Sequence, residues 1–333
     1  MSRRLLFVCY PDTNHPIGGV KQIYRQVELL AKAGFEAWVL QQEPGFRADW
    51  FASAAPVLDV ASYLASGPDD ARDLIVLPET WLANVPSYLV GIPKVIFNQN
   101  AFYTFGLEGR CDDATLELYQ HPDIVGVVTV SDDSRALLVR GCGVPAARCH
   151  TVLNGLDQAL FYIPKIKVRR IVYMGRKQVD HIRKVALMAR TRPALARYPF
   201  RELGRLSHGE VAAELREALV FLSGGHPEGF GLPLAEALAC GCLVVGYHGL
   251  GGRDFALPHM RTVEVGDLLG FLEALEAEVL RFEANPAVVY AERHAASAAV
   301  LTRYSPEAER ARALEIWGWL AQNGSGNSAG NNR

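Results

Sequence analysis

The stretch Glu228-Gly229-Phe230-Gly231-Leu232-Pro233-Leu234-Ala235-Glu236 lies between two continuous apolar runs, Ala218 to Leu222 and Leu243 to Gly246. Unbroken apolarity over strand length suits a strand buried on both faces, as in a parallel sheet. Pro233 fits the first position of a helix, where its missing N–H costs nothing, and Gly241 fits the position just past a helix end. The order is therefore strand, glycine loop, short helix, strand. Gly229 and Gly231 leave the backbone N–H groups open to close approach. The helix aims its N-terminus at the carboxyl end of a parallel strand, where open α/β sheets bind ligands and where an anion is favoured. Glu228 falls on the loop and Glu236 one turn inside the helix. Carboxylates accept hydrogen bonds from hydroxyls, so an anion site with two of them suits a ligand carrying phosphates and sugars. Taken singly, each glutamate fits a solvated surface position equally well.

Working outward, the same alternation fills both halves of the chain. Leu5 to Tyr10 is a buried strand, Pro11 to Gly19 a loop, and Val20, Ile23, Val27 and Leu30 recur at helical spacing with Lys21, Gln22 and Arg25 off that face. Gly34 stands at the helix end and Ala37 to Leu40 is the next strand, a βαβ start that implies a parallel sheet. Further strands are predicted at Leu74–Leu77, Val95–Asn98, Val125–Val130 and Thr151–Leu153, with Ser131 capping a helix that ends near Gly141. Asn154-Gly155 and Pro164 mark a boundary. The pattern restarts at Arg170–Met174, and Ser207 with Glu210 forms a capping box for a helix through Ala218. Ser305 and Pro306 open a last helix, with Leu314, Trp317 and Leu320 on one face. These elements predict two doubly wound α/β domains, 1–160 and 161–305, then a helix at 306–322 and a disordered tail at 323–333.

Composition narrows the function. The 333 residues carry a formal net charge of −2, which does not favour a nucleic-acid partner. The basic run Lys165 to Arg170 leaves a weak peripheral membrane contact open, though a solvated linker is the simpler reading. No apolar run approaches the ~18 residues of a membrane span. The six cysteines show no C-x2-C pair, and no histidine pair has ligand spacing, so no metal and no cofactor is expected. A reducing cytoplasm fits the cysteine usage, with the inner face of a membrane as a variant location.

Other motifs join the first. Met174-Gly175 leads from a strand end into Arg176 and Lys177, a fork and a point charge suited to a diphosphate. Gly18-Gly19 precedes the first helix, where backbone N–H groups can meet a phosphate. Asn98-Gln99-Asn100 follows a strand and supplies amide donors; an amide-rich turn is the plainer alternative.

The 228–241 stretch resembles the E-x7-E signature of family-4 retaining glycosyltransferases of GT-B fold, whose pattern is E-G-F-G-L-P-x-x-E-A-x-A-x-G followed by an apolar strand. The likeness runs from Leu5 to about Leu320, with motif identity concentrated in Arg176 to Gly241. It implies two facing Rossmann-like domains, an acceptor side first and a donor side second, with the final helix crossing back onto the first. It implies Glu236 on ribose hydroxyls, Gly229, Phe230, Gly231 and Leu232 on diphosphate and sugar, and Glu228 on the donor sugar. Leu206 and Ser207 would meet the nucleobase, and Gly18 and Gly19 the donor. Arg176 and Lys177 would stabilise the leaving diphosphate. The family places a lysine several residues after Gly-Arg; here Lys177, or secondarily Arg183, would replace it. The family's first-domain histidine is absent, and Asn98, Gln99 or Asn100 would take its place, Asn100 being assigned the catalytic contact. The implied reaction moves a sugar from a UDP- or GDP-sugar, a co-substrate, to a carbohydrate or lipid-linked acceptor hydroxyl in bacterial polysaccharide, lipopolysaccharide or glycolipid synthesis. The competing reading is an inactive sugar-nucleotide-binding subunit of the same fold.

Overall fold

A computed structural model describes residues 2–11, 17–106 and 113–324. The chain divides into two compact units, Met1–Asn154 with Glu309–Arg333, and Gly155–Ala308. The first crossing thus falls at the Asn154-Gly155 step, six positions before residue 160.

The first unit contains β1 (Arg4–Cys9), α1 (Gly18–Lys32), β2 (Ala37–Gln41), β3 (Val57–Asp59), α2 (Val60–Ala65), β4 (Asp73–Pro78), β5 (Lys94–Asn98), α3 (Asp113–Leu118), β6 (Ile124–Thr129), α4 (Asp132–Ala136) and β7 (Cys149–Thr151). The sheet order is β3-β2-β1-β4-β5-β6-β7, parallel throughout. Winding goes one way from β1 to β3 and the other way from β4 to β7. The reversal leaves a crevice beyond the carboxyl ends of β1 and β4. At the opposite ends of the strands, buried charges are paired: Arg4 with Asp73 at 2.6 Å, and Lys94 with Asp123 at 2.9 Å. Lys94 also donates to the carbonyls of Leu89 and Ile92, which offsets the cost of burying its ammonium.

The second unit contains β8 (Val168–Met174), α5 (Val179–Met188), β9 (Phe200–Leu203), α6 (His208–Glu217), β10 (Ala218–Ser223), α7 (Leu232–Ala239), β11 (Leu243–Gly246), α8 (Arg253–Ala256), β12 (Arg261–Thr262), α9 (Leu268–Ala284) and α10 (Pro286–Arg303). Its order, β12-β11-β10-β8-β9, is again parallel and reverses between β8 and β10. The core gathers Ile171, Val220, Leu222 and Val245 from the strands with Val185, Phe271 and Val279 from the helices.

α11 (Pro306–Asn323) starts from Ser305, whose hydroxyl accepts from the Ala308 N–H. From Glu309 onward it belongs to the first unit. Trp317 is fully buried there, its ring edge against Phe7 and Phe97 at centroid distances of 4.8 and 5.9 Å. Its Nε1 donates to Gln26 Oε1, and Gln26 Nε2 donates to the Glu309 carboxylate, which also receives Arg25. Buried polar groups stay partnered by this chain. Gln22, expected off the apolar face, is buried one turn before Gln26, because α1 is covered on this side as well.

Other expectations shift. The strand placed at Thr151–Leu153 runs Cys149–Thr151, pairing Cys149 with Val127. Lys167 is no solvated linker residue: its Nζ donates to the carbonyls of Leu215, Arg216 and Ala218, satisfying the end of α6. Five cysteines are free and buried, while Cys111 and the 325–333 tail lie outside the described residues. Among the described residues no helix is long and apolar enough to cross a membrane.

Replacing Trp317 with alanine removes the largest buried ring of the first unit and leaves the Gln26 carbonyl without its donor. Denaturant unfolding should show a loss of about 3–5 kcal/mol, with a phenylalanine at 317 recovering part of it.

Candidate functional site

Lys177 and Glu228, two of the second unit's predicted residues, meet at its reversal point. β8 ends at Met174, and Gly175 follows where an added Cβ would sit 2.6 Å from Glu202 Oε1. Lys177 and Gln178 then take left-handed backbone angles, φ 39° and 37°, before α5 begins. Two consecutive side chains in that region are strained, and such strain concentrates at functional turns. The turn carries the Lys177 ammonium to the end of β10. There Nζ stands 2.8 Å from Glu228 Oε2 and donates to the Pro227 carbonyl at 2.5 Å. Arg176 is exposed beside it. Arg183, the secondary candidate for the missing lysine, is held by Glu202 through two contacts of 2.9 Å.

The loop from Gly224 to Gly231 is fixed from two sides. Phe230 is buried between Phe255 and Tyr304 at centroid distances of 5.2 and 5.1 Å. Its ring anchors the loop, so its contribution to a ligand site is its backbone. On the other side Glu228 N–H donates to the Gly249 carbonyl at 2.7 Å, and Gly251 N–H donates back to Glu228 at 3.1 Å. A Cβ at Gly251 would lie 2.1 Å from the Gly229 carbonyl oxygen. The Gly249-Leu250-Gly251-Gly252 segment therefore lies against the loop backbone, joined to it by an isolated parallel bridge between Leu250 and Glu228. Its glycines escaped the sequence reading, because a glycine run in a loop has no local signal of what it packs against.

Gly231 caps α7 with φ 93°, a conformation that suits glycine, and Pro233 sits in the first turn. Leu232 opens the helix half-buried, leaving its first N–H groups toward the loop. Glu236 is 7 % exposed, and its Oε1 lies 3.2 Å from His208 Nε2. His208 is the first residue of α6, with its ring edge on Phe161. The structure makes this histidine Glu236's neighbour. Ser207 is the cap: its hydroxyl and N–H both engage Glu210, and Leu206 precedes it. His226 is held below its usual basicity, chiefly by burial and then by Lys177 and Arg253, so it stays neutral near pH 7. Arg253 thus joins Arg176 and Lys177 as a cation of this region.

In the first unit, Gly18 and Gly19 open α1, and the preceding residues 12–16 lie outside the described set. The Gln99 side chain donates to the Gly19 carbonyl at 3.1 Å, joining the glycine motif to the amide turn. Asn100 is 5 % exposed, and its side chain accepts from the Phe102 N–H as a helix cap. Asn98 donates to Tyr119 and is buried. Of the three amides, Gln99 is the half-buried one. Among the described residues no group of three potential ligands could hold a metal.

Residues 200–260 match the family model of glycosyl transferases group 1. No curated protein matches the chain. Sucrose-phosphate synthase from Thermosynechococcus elongatus is similar in structure, with 16% identity, a TM-score of 0.71 and coverage of 96% of this chain and 99% of that one. HepE from Anabaena, in complex with UDP-glucose, is similar at 14% identity and TM-score 0.67, covering 95% and 99%. The lipopolysaccharide outer core galactosyltransferase WaaB in apo form is similar at 11% identity and TM-score 0.60, again over 95% and 99%. The chain has the GT-B fold of two Rossmann-like parallel-sheet domains.

Gly251→Ala forces its methyl into the Gly229 carbonyl. A loss of about 1–3 kcal/mol by overpacking is expected in thermal unfolding, against little change for Gly209→Ala, where nothing lies within 4 Å.

Proposed function

We propose that the chain is a retaining glycosyltransferase of family 4, moving a sugar from a UDP- or GDP-sugar to an acceptor hydroxyl. The observation that carries this reading is the set of groups at the β8/β10 reversal. Lys177 is paired with Glu228 on one side of the loop, and Glu236 is buried beside the N-terminus of α7 on the other. A ligand matching that set is anionic at one place and rich in hydroxyls around it. The group 1 match covers Glu228 and Glu236, and HepE's complex with UDP-glucose supports the donor class.

In this reading Glu236 accepts from the ribose hydroxyls and His208 holds its carboxylate. The N–H groups of Gly229 to Leu232 and the start of α7 receive the diphosphate. The sugar's anomeric carbon loses its bond to the diphosphate oxygen and gains one to the acceptor oxygen, whose proton passes to the departing diphosphate. Departure and attack on the same face keep the anomeric configuration. Arg176 and Lys177 stabilise the charge that grows on the leaving diphosphate without a metal ion. Glu228 orients Lys177 in the resting protein and turns to the sugar hydroxyls when donor is bound. The first unit takes the acceptor, a carbohydrate or lipid-linked hydroxyl of bacterial polysaccharide, lipopolysaccharide or glycolipid synthesis.

The test is release of nucleoside diphosphate from a panel of UDP- and GDP-sugars, with and without sugar acceptors. Lys177→Met should lower kcat by about 10²–10³-fold, the scale for one lost charge-stabilising donor. Glu236→Ala should raise the donor KM by about 10–100-fold, the value of a hydrogen bond to a charged group. NMR of the product should show the donor's anomeric configuration. Binding of a sugar nucleotide without turnover across all acceptors would replace this reading with that of an inactive binding subunit.

A further inference from the structure

The first unit buries a carboxyl group for which the reaction above has no use. Glu79 follows Pro78 at the carboxyl end of β4, beside the crevice where the sheet order reverses from β1 to β4. It is 5 % exposed. An isolated buried carboxylate is costly and is ordinarily paired with a cation. Glu79 instead faces the turn after β5: its Oε2 accepts from the Gln99 N–H at 3.0 Å, and the Asn100 N–H also bonds its carboxylate. Gln99 in turn holds the Gly19 carbonyl at the start of α1. One carboxylate, one side-chain amide and one helix start thus form a chain across the mouth of the crevice.

We propose that Glu79 is a positioning residue: it fixes the Gln99 turn so that the Gln99 amide meets a sugar hydroxyl in the first unit's crevice. An amide offers two donors and one acceptor oxygen, and the bond to Gly19 uses one donor. That capacity matches a hydroxyl, which both donates and accepts. The alternative, a purely structural acid, gives no reason to prefer a carboxyl over the neutral amide that would cost less to bury. The hydroxyl belongs either to the acceptor or to the transferred sugar, and in both cases the inference rests on the transferase reading.

Burial pushes the Glu79 carboxyl up to about 7, against the lowering by the backbone N–H groups. Its surroundings are the short helices at Glu79–Asn84 and Ala101–Phe105, with α3, β4 and β5. Their described titratable groups and those of the adjoining turn are Tyr103, Glu117, Tyr119, Asp73 and Lys94. Asp73 and Lys94 lie at the far ends of their strands, and each is engaged by its own ion pair. Tyr119 remains protonated, its basicity raised by burial. Among the described residues no neighbouring charge contributes to the shift at Glu79. A raised folded-state pKa means that the stability tied to this proton is present below the unfolded value and is lost as pH rises through about 7. The ionised form has more acceptor capacity for the two N–H groups, so the turn is set as the proton leaves.

The test uses the full chain labelled with 15N-glutamine, with the Gln99 side-chain amide identified by its loss in Gln99→Asn. In the wild type this signal should move with a midpoint near that of Glu79, and in Glu79→Gln it should be flat. Release of nucleoside diphosphate from the sugar nucleotides should fall by up to about 100-fold in both Glu79→Gln and Gln99→Ala, with nucleotide affinity unchanged. A fall in acceptor-dependent transfer alone assigns the hydroxyl to the acceptor; an equal fall in donor hydrolysis assigns it to the donor sugar. A Gln99 signal flat across neutral pH in the wild type, or turnover unchanged in both variants, overturns the proposal. If Glu79→Gln does not fold, the wild-type titration and Gln99→Ala decide. A wild type that turns over no sugar nucleotide defeats the transferase reading, whereas the Glu79–Gln99 coupling is still read by the titration.

Discussion

Lys177 Nζ, 2.8 Å from Glu228 Oε2 and bonded to the Pro227 carbonyl, ties the end of β8 to the end of β10. The winding of the sheet reverses between these two strands, which leaves a crevice beyond their carboxyl ends. The pair sets the loop on which Glu228 stands, and that loop leads into α7 and Glu236. The cost is visible in the backbone: Lys177 and Gln178 both hold positive φ, which folding alone would not select. The Gly249–Gly252 segment meets the same loop from behind, and its missing side chains are what let two backbones come within hydrogen-bonding distance.

Much of this second unit was legible locally. Pro233, Gly231 and Gly241 act through their own backbone restrictions, and Ser207 with Glu210 forms a capping box in the structure as in the sequence. Such rules depend on neighbours within four residues, so a sequence displays them. The edge strands β3, β9 and β12 were missed because they are short and partly exposed, without the apolar run that marks β1 or β10. The long helices α9 and α10 were passed over because apolar residues such as Leu269, Leu280 and Val288 stand exposed and blur their period.

The site was less legible where its contacts are distant in sequence. His208 against Glu236 joins two helices through residues 28 positions apart. Glu79 reads as an ordinary acid after a proline until β5 and its turn close over it. The amide turn itself was noticed, with Asn100 chosen among its three members for the catalytic contact. The structure engages Asn100 as a cap and Asn98 with Tyr119, leaving Gln99 on the glycine motif. Both units thus place polar groups beyond the reversal of their own sheet, the position that parallel winding leaves open for a ligand.

The central claim is that the 224–236 loop and helix grip a nucleoside diphosphate, and thermal unfolding with UDP, GDP, ADP and dTDP tests it most directly. One of the four, at about 100 times its dissociation constant, should stabilise the protein by about 2.7 kcal/mol, and Glu236→Ala at the same ligand concentration should cut that gain to about 0.4–1.4 kcal/mol. No shift with any of the four, or a shift undiminished in Glu236→Ala, would contradict the account.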